Sequence, residues 1–162
     1  MGRSSEAPGD RLLLTWRRLE PWPGGRWLFS RMVGWMAPYS GSIGARVLEL
    51  EPGQVRAELR DRRRVRNHLD SVHAVALVNL GELVTGLATL TALPPGIRGI
   101  VLGLEARYEK KARGRLTAEC RTEVSSVEAP REHVAEAEIR DPRGDRVATV
   151  RVTWRVAPPR AS

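Results

Sequence analysis

The 162-residue chain contains a single cysteine, Cys120, which excludes a disulfide framework and a cysteine-rich metal site. Cys120 falls on the apolar side of an alternating pattern and reads as a small buried residue. The three histidines, at 68, 73 and 133, have no metal-ligand spacing, and neither a metal nor a cofactor is expected. Aromatic residues are few, and four of the five tryptophans lie in the N-terminal region. The first apolar run, Leu12-Leu13-Leu14, is too short for a secretory signal, so a cytoplasmic location is expected. Only one stretch, Val72 to Leu93, is apolar for long enough to cross a bilayer. His73, Asn79 and Glu82 within it, and its strand-rich flanks, point to a protein core and no membrane span.

Lysine is also scarce, yet arginine brings the formal net charge to +8. That balance invites a nucleic-acid reading. The densest basic cluster is Arg62-Arg63-Arg64 followed by Arg66, but acidic residues interleave the basic ones through most of the chain. The last strands alternate Arg with Val and Thr, as a solvated sheet face does. No nucleic-acid partner is expected, and a basic rim suited to an anionic small molecule fits the same charge.

The length suits one domain with a core of its own. Residues 1–44 read as an N-terminal helical extension, with the first eight or so residues disordered and helices over 11–20 and 26–36. Residues 45–157 read as the main domain and 158–162 as a disordered tail. Within that domain, strands over 46–51 and 55–60 flank a Pro52-Gly53 turn. A helix over 72–93, apolar all round and therefore buried, ends before Pro94-Pro95-Gly96. From there the period switches to two. Ile100, Leu102, Leu104, Ala106 and Tyr108 are expected on one face of a long strand, with Val101, Gly103, Glu105, Arg107 and Glu109 on the other. Further strands carry Leu116, Ala118, Cys120 and Val124, then residues 132–140, then Ala148, Val150, Val152, Trp154 and Val156. One apolar helix and a set of antiparallel strands that each need a covered face imply an α+β fold. The sheet curls around the helix in a hot-dog architecture, preceded by N-terminal helices.

Glu82 is the only charged residue between Asp70 and Arg98, apart from the histidine, and no Lys or Arg stands three or four positions from it. A carboxylate on a buried helix needs a tertiary partner or a cavity that substrate enters. Upstream, Asn67 precedes His73 by six positions, and His73 precedes Glu82 by nine. The run Asn67…His73-Ala74-Val75…Glu82 resembles the Asn…His-Gly-Gly…Asp/Glu signature of PaaI-like hot-dog thioesterases. The resemblance continues through Tyr108 and Lys111-Ala112-Arg113-Gly114 and covers about residues 46–156. Where the family carries glycine, this chain has Asp70, Ala74 and Val75, and the branched Val75 narrows or reshapes the acyl channel.

The resemblance implies an acyl-thioester hydrolase, with acyl-CoA the foremost substrate. Ser71 or Asp70 would cap the helix, and the Ala74 N–H at its positive end would stabilise an oxyanion. Glu82 would activate water or attack directly. Asn67 would orient that water or hold the thioester, and His73 would fix the loop. Each residue also has a plain structural reading: Asn67 as a turn residue, His73 as a helix-start hydrogen bonder, Glu82 as a structural acid. Nine helical residues place His73 and Glu82 about 13 Å apart and on opposite sides. A shared site therefore needs two chains, as in a homodimer or a dimer of dimers with twofold symmetry. The phosphates of CoA are expected at the basic turn of Lys110, Lys111 and Arg113, away from Arg62 to Arg66. The rival reading is a non-catalytic hot-dog protein that binds an acyl or aromatic ligand in the same cleft.

Overall fold

The period-two segments pair into one antiparallel sheet in a computed structural model that describes residue 7 and residues 9–158. Most of the expected disordered start and nearly all of the expected tail lie outside the described residues. The strands are β1 (Arg46–Glu51), β2 (Gln54–Leu59), β3 (Arg98–Tyr108), β4 (Leu116–Arg121), β5 (Arg131–Arg140) and β6 (Arg146–Ala157). They lie in the order β1-β2-β4-β5-β6-β3, which leaves β3 at one edge. Helices α1 (Asp10–Leu19), α2 (Gly25–Met36) and the one-turn α3 (Pro38–Gly41) precede the sheet, and α4 (Ala74–Ala92) is inserted between β2 and β3.

α4 packs across β2, β4, β5 and β6, and its apolar side chains join theirs in one core. It is long and apolar enough to cross a bilayer by length and composition, but most of it is buried in the protein. Thr85 and Thr91 are buried in it because their hydroxyls donate back to the carbonyls of Gly81 (2.9 Å) and Leu87 (2.8 Å). At Gly81 the helix backbone meets the sheet: a β-carbon there would lie 2.4 Å from Val150 Cβ. Only glycine allows that approach. α1 and α2 extend the same core, with the Trp16 and Phe29 rings edge to face at 5.1 Å and Phe29 fully buried. α2 is tied to β1 where the Val47 N–H donates to Ser30 Oγ at 2.9 Å.

Two local expectations need correction. The helix is capped by neither Ser71 nor Asp70. His73 is the N-cap, and its Nδ1 accepts from the Val75 N–H at 3.1 Å, while the Ser71 hydroxyl turns back to Asn67 Oδ1. The second correction is in β3, where the register against β6 slips between Val101 and Gly103. Ile100 therefore pairs with Arg155 on the outer face, whereas Leu104, Ala106 and Tyr108 pair with Val152, Val150 and Ala148 on the helix side. A bulge of this kind exchanges the faces of every residue beyond it.

Candidate functional site

The loop that delivers the chain into α4 is held by its own side chains. Asn67 Oδ1 accepts from the Leu69 N–H (2.9 Å), the Ser71 N–H (3.3 Å) and the Ser71 hydroxyl (3.1 Å). Asp70 takes a left-handed φ of 51°, a conformation open to Asp and Asn among side-chain-bearing residues. That explains why an aspartate can stand where the resembled family has glycine. The Val72 N–H donates to Ala112 O and the His73 N–H to Val65 O, both at 2.8 Å. Asp61 locks the base of the loop, with Oδ1 2.6 Å from Arg66 Nε and Oδ2 accepting from the Gly114 N–H. The Arg66 guanidinium holds the Asp61 carboxyl below the ordinary carboxylate value.

At the first turn of α4 the donors divide. The Val75 N–H goes to the His73 ring, and those of Ala76 and Leu77 go to the His73 carbonyl. The Ala74 N–H donates to no group among the described residues, and it lies at the positive end of the helix dipole. Beside it the Tyr108 hydroxyl donates to Ala74 O at 3.3 Å, and partial burial pushes the Tyr108 pKa up.

Glu82 lies two turns along α4 and is half-buried. Its one hydrogen bond is from Ser40 Oγ to Oε2 at 3.4 Å, and no cation pairs with it among the described residues. Burial pushes its pKa above 4.5, and the Ser40 bond opposes that only in part. Asn79 Nδ2 donates to Tyr39 O at 3.1 Å, so α3 rests over this part of α4. Asn67, His73 and Ala74 thus meet at one loop–helix junction, and Glu82 of the same chain does not join them. A cleft of about 320 Å³ runs from His73 and Val75 past Asn79 to Tyr39 and Arg64.

The three basic residues of the turn after β3 have unequal surroundings. Lys110 Nζ sits 2.7 Å from both Asp141 and Asp145, which raise its pKa. Arg113 donates to the carbonyls of Asp70 and Leu69 at 3.2 and 3.3 Å. Lys111 has no partner among the described residues, and no acidic, histidine or cysteine cluster there could hold a metal. Ser40 was not foreseeable, since nothing in the sequence ties it to a carboxylate 42 positions on.

Residues 25–156 match the family described as a domain of unknown function (DUF4442). No curated protein matches the chain. Among solved structures, a protein from a genomics programme is 28% identical with a TM-score of 0.78, over 91% of this chain and 98% of its own. A Pseudomonas aeruginosa protein of unknown function described as a probable thioesterase is 24% identical with a TM-score of 0.73, over 80% and 93%. A thioesterase from Staphylococcus aureus is 19% identical with a TM-score of 0.65, over 75% and 99%. The likenesses below 25% identity speak to the fold, and with the sheet order and the central helix they make it the hot-dog fold. The chain is thus a hot-dog protein that belongs to the domain-of-unknown-function family DUF4442.

Proposed function

We propose that this protein hydrolyses acyl thioesters, with acyl-CoA as the foremost substrate, at sites shared between two copies of the chain. One observation carries the reading: among the described residues, a half-buried carboxylate without a cation lies on the same helix as an unpaired N–H at that helix's positive end. The resemblance to thioesterases and the names of the structural neighbours agree with it.

The substrate carbonyl oxygen would sit against the Ala74 N–H, where a preorganised donor is worth on the order of 3 kcal/mol in acyl-transfer sites. Glu82 takes a proton from water as the water oxygen bonds to the carbonyl carbon, and the displaced electron pair moves onto the oxygen facing Ala74. Collapse re-forms the C=O bond and breaks the C–S bond, and the departing thiolate takes the proton that Glu82 holds. A direct attack by Glu82 would instead give an acyl anhydride that water then cleaves. Asn67 Oδ1 is occupied by its loop, which leaves Nδ2 to hold the carbonyl or the water. His73 serves by shaping the first turn.

The Ala74 N–H and Glu82 of one chain stand about 12 Å apart along α4, too far for one small site. The site would therefore combine the helix start of one subunit with Glu82 of the partner subunit. β3 offers the edge for that pairing, since it is bonded to β6 on one side only and Ile100, Leu102, Leu104 and Tyr108 stand exposed on it. A homodimer, or a dimer of dimers, in the cytoplasm completes the proposal.

Hydrolysis of an acyl-CoA panel by the wild type and Glu82→Gln is the test. A loss of at least about a hundredfold in the variant is expected, with ligand binding retained. Unchanged turnover would assign Glu82 a structural role. Val75, 53% exposed at the helix start where the resembled family has glycine, favours the second reading, a protein that binds acyl ligands without cleaving them. Binding of acyl-CoA with no hydrolysis by the wild type would establish it.

A further inference from the structure

Five arginines from three parts of the chain converge on one cleft. Arg31 comes from α2, Arg46 from β1, and Arg60, Arg62 and Arg64 from the segment after β2; together they line a cavity of about 580 Å³. Glu58 is the one acid among its lining residues, and it is already flanked by Arg60 at 3.9 Å and Arg115 at 3.5 Å. Arg31, Arg46 and Arg62 pair with no carboxylate among the described residues. Arg46 Nε is buried with no acceptor among the described residues. Arg64 donates to the Ser42 carbonyl. Arg62 and Arg64 also crowd together: a β-carbon on Gly44 would lie 3.2 Å from Arg64 Nη2 and 3.8 Å from Arg62 Nη2. Like charges gathered in a recess repel one another and lower the stability of the fold unless an anion joins them.

The cleft suits a large anion, because the roughly 580 Å³ that these arginines line is far bigger than one phosphate. Each planar fork can hold phosphate oxygens bidentately. Trp27 and Trp35 line the same cleft with their rings largely exposed, planes on which a nucleobase can stack. The cleft also adjoins the one at the helix start, because Ser42 and Arg64 line both. Ser40 lines the arginine cleft and donates to Glu82.

We infer that the arginine cleft between α2, β1 and the segment after β2 holds the 3′-phosphoadenosine diphosphate end of coenzyme A, with the pantetheine arm passing Ser42 and Arg64 toward the start of α4. The identity of the carrier rests on the thioesterase reading; the recess for a multiply phosphorylated nucleotide does not. The turn expected from sequence to take these phosphates is the weaker place, because Asp141 and Asp145 already hold Lys110 and backbone carbonyls hold Arg113.

The test is calorimetric titration of the full chain with adenosine 3′,5′-bisphosphate, alongside KM for an acyl-CoA and for the matching acyl-N-acetylcysteamine thioester. The nucleotide should bind and quench tryptophan fluorescence. Arg62→Glu with Arg64→Glu should weaken it at least tenfold, more at low salt than at high, and Lys111→Glu should leave it unchanged. KM for acyl-CoA should rise by a similar factor and that for the short thioester should stay constant. Should the double reversal unfold the protein, Arg62→Ala at an exposed side chain repeats the measurement. No binding of the bisphosphate, equal binding by the arginine variants, loss on Lys111→Glu, or tighter binding of a single-stranded oligonucleotide would overturn the inference. Arginine-dependent nucleotide binding without hydrolysis of any thioester would uphold the cleft and bring down the hydrolase reading. Hydrolysis with no nucleotide binding would do the reverse.

Discussion

Glu82 is the residue for which stability and the proposed chemistry pull in opposite directions. Its folded pKa lies above the ordinary 4.5, so the folded state favours the protonated form. The group's contribution to stability is present below that value and is lost as pH rises through the raised pKa. Glu82→Gln should therefore melt above the wild type at pH 7 while losing hydrolysis, and the two proteins should converge toward pH 4. The acid limb of kcat should fall at a pH above 4.5, since the base must be ionised. Thermal melts and a pH–rate profile check both. Gly81 makes a second prediction at this scale. Gly81→Ala puts a methyl group 2.4 Å from Val150 Cβ, and overpacking should cost about 1–3 kcal/mol, read as a lower melting temperature. The sequence marked Glu82 through its isolation in an apolar run. It could not show Gly81 as a contact point, because a glycine inside a helix pattern has the same letters whether it faces a strand or a gap.

The elements were legible wherever one period ran unbroken. The hairpin, the central helix, β5 and β6 follow their patterns closely, whereas β4 ends at Arg121 and leaves Val124, expected on that strand, in the loop after it. The bulge in β3 was not legible, because Leu102 carries the right apolarity for either face and the extra residue leaves no mark in composition. The helix cap was ambiguous for another reason: Asp70, Ser71 and His73 can all cap, and the loop's own hydrogen bonds decide among them. β3 also sets the prediction at this scale. Leu102→Lys with Leu104→Lys on the open edge should give a monomer by sedimentation, where the wild type should sediment as a dimer or larger. A wild-type monomer at micromolar concentration would remove the basis for the shared site. Charged residues on an edge strand oppose strand addition while leaving the β6 ladder in place.

For the whole molecule, the net charge of +8 was legible as a basic rim, but nothing in the sequence could place that rim. The pairing of β1 with β2 sets Arg46 beside the segment of Arg60 to Arg64, and the packing of α2 against β1 adds Arg31, which stands far from both along the chain. The same holds for the latch between Asp61, Arg66 and Gly114, which joins the loop before α4 to the turn before β4. Asp61 has a depressed pKa, so its contribution is present above its unfolded value near 3.8 and is lost as pH falls through the lower folded value. Asp61→Asn should lower the melting temperature at pH 7, and the gap from wild type should close below pH 3.8.

The unpaired N–H of Ala74 and the carboxylate of Glu82, fixed two turns apart on one rigid helix, make two different lesions complementary. Proline is tolerated at the first helical position and removes only the N–H, and His73 already has the extended backbone that a following proline requires. Ala74→Pro and Glu82→Gln should each be inactive alone. In a mixed dimer, one site would combine both lesions. The other would join the intact helix start of the Glu82→Gln chain to the intact carboxylate of the Ala74→Pro chain. Equal amounts of the two inactive proteins, allowed to exchange subunits, should therefore regain about a quarter of the wild-type activity.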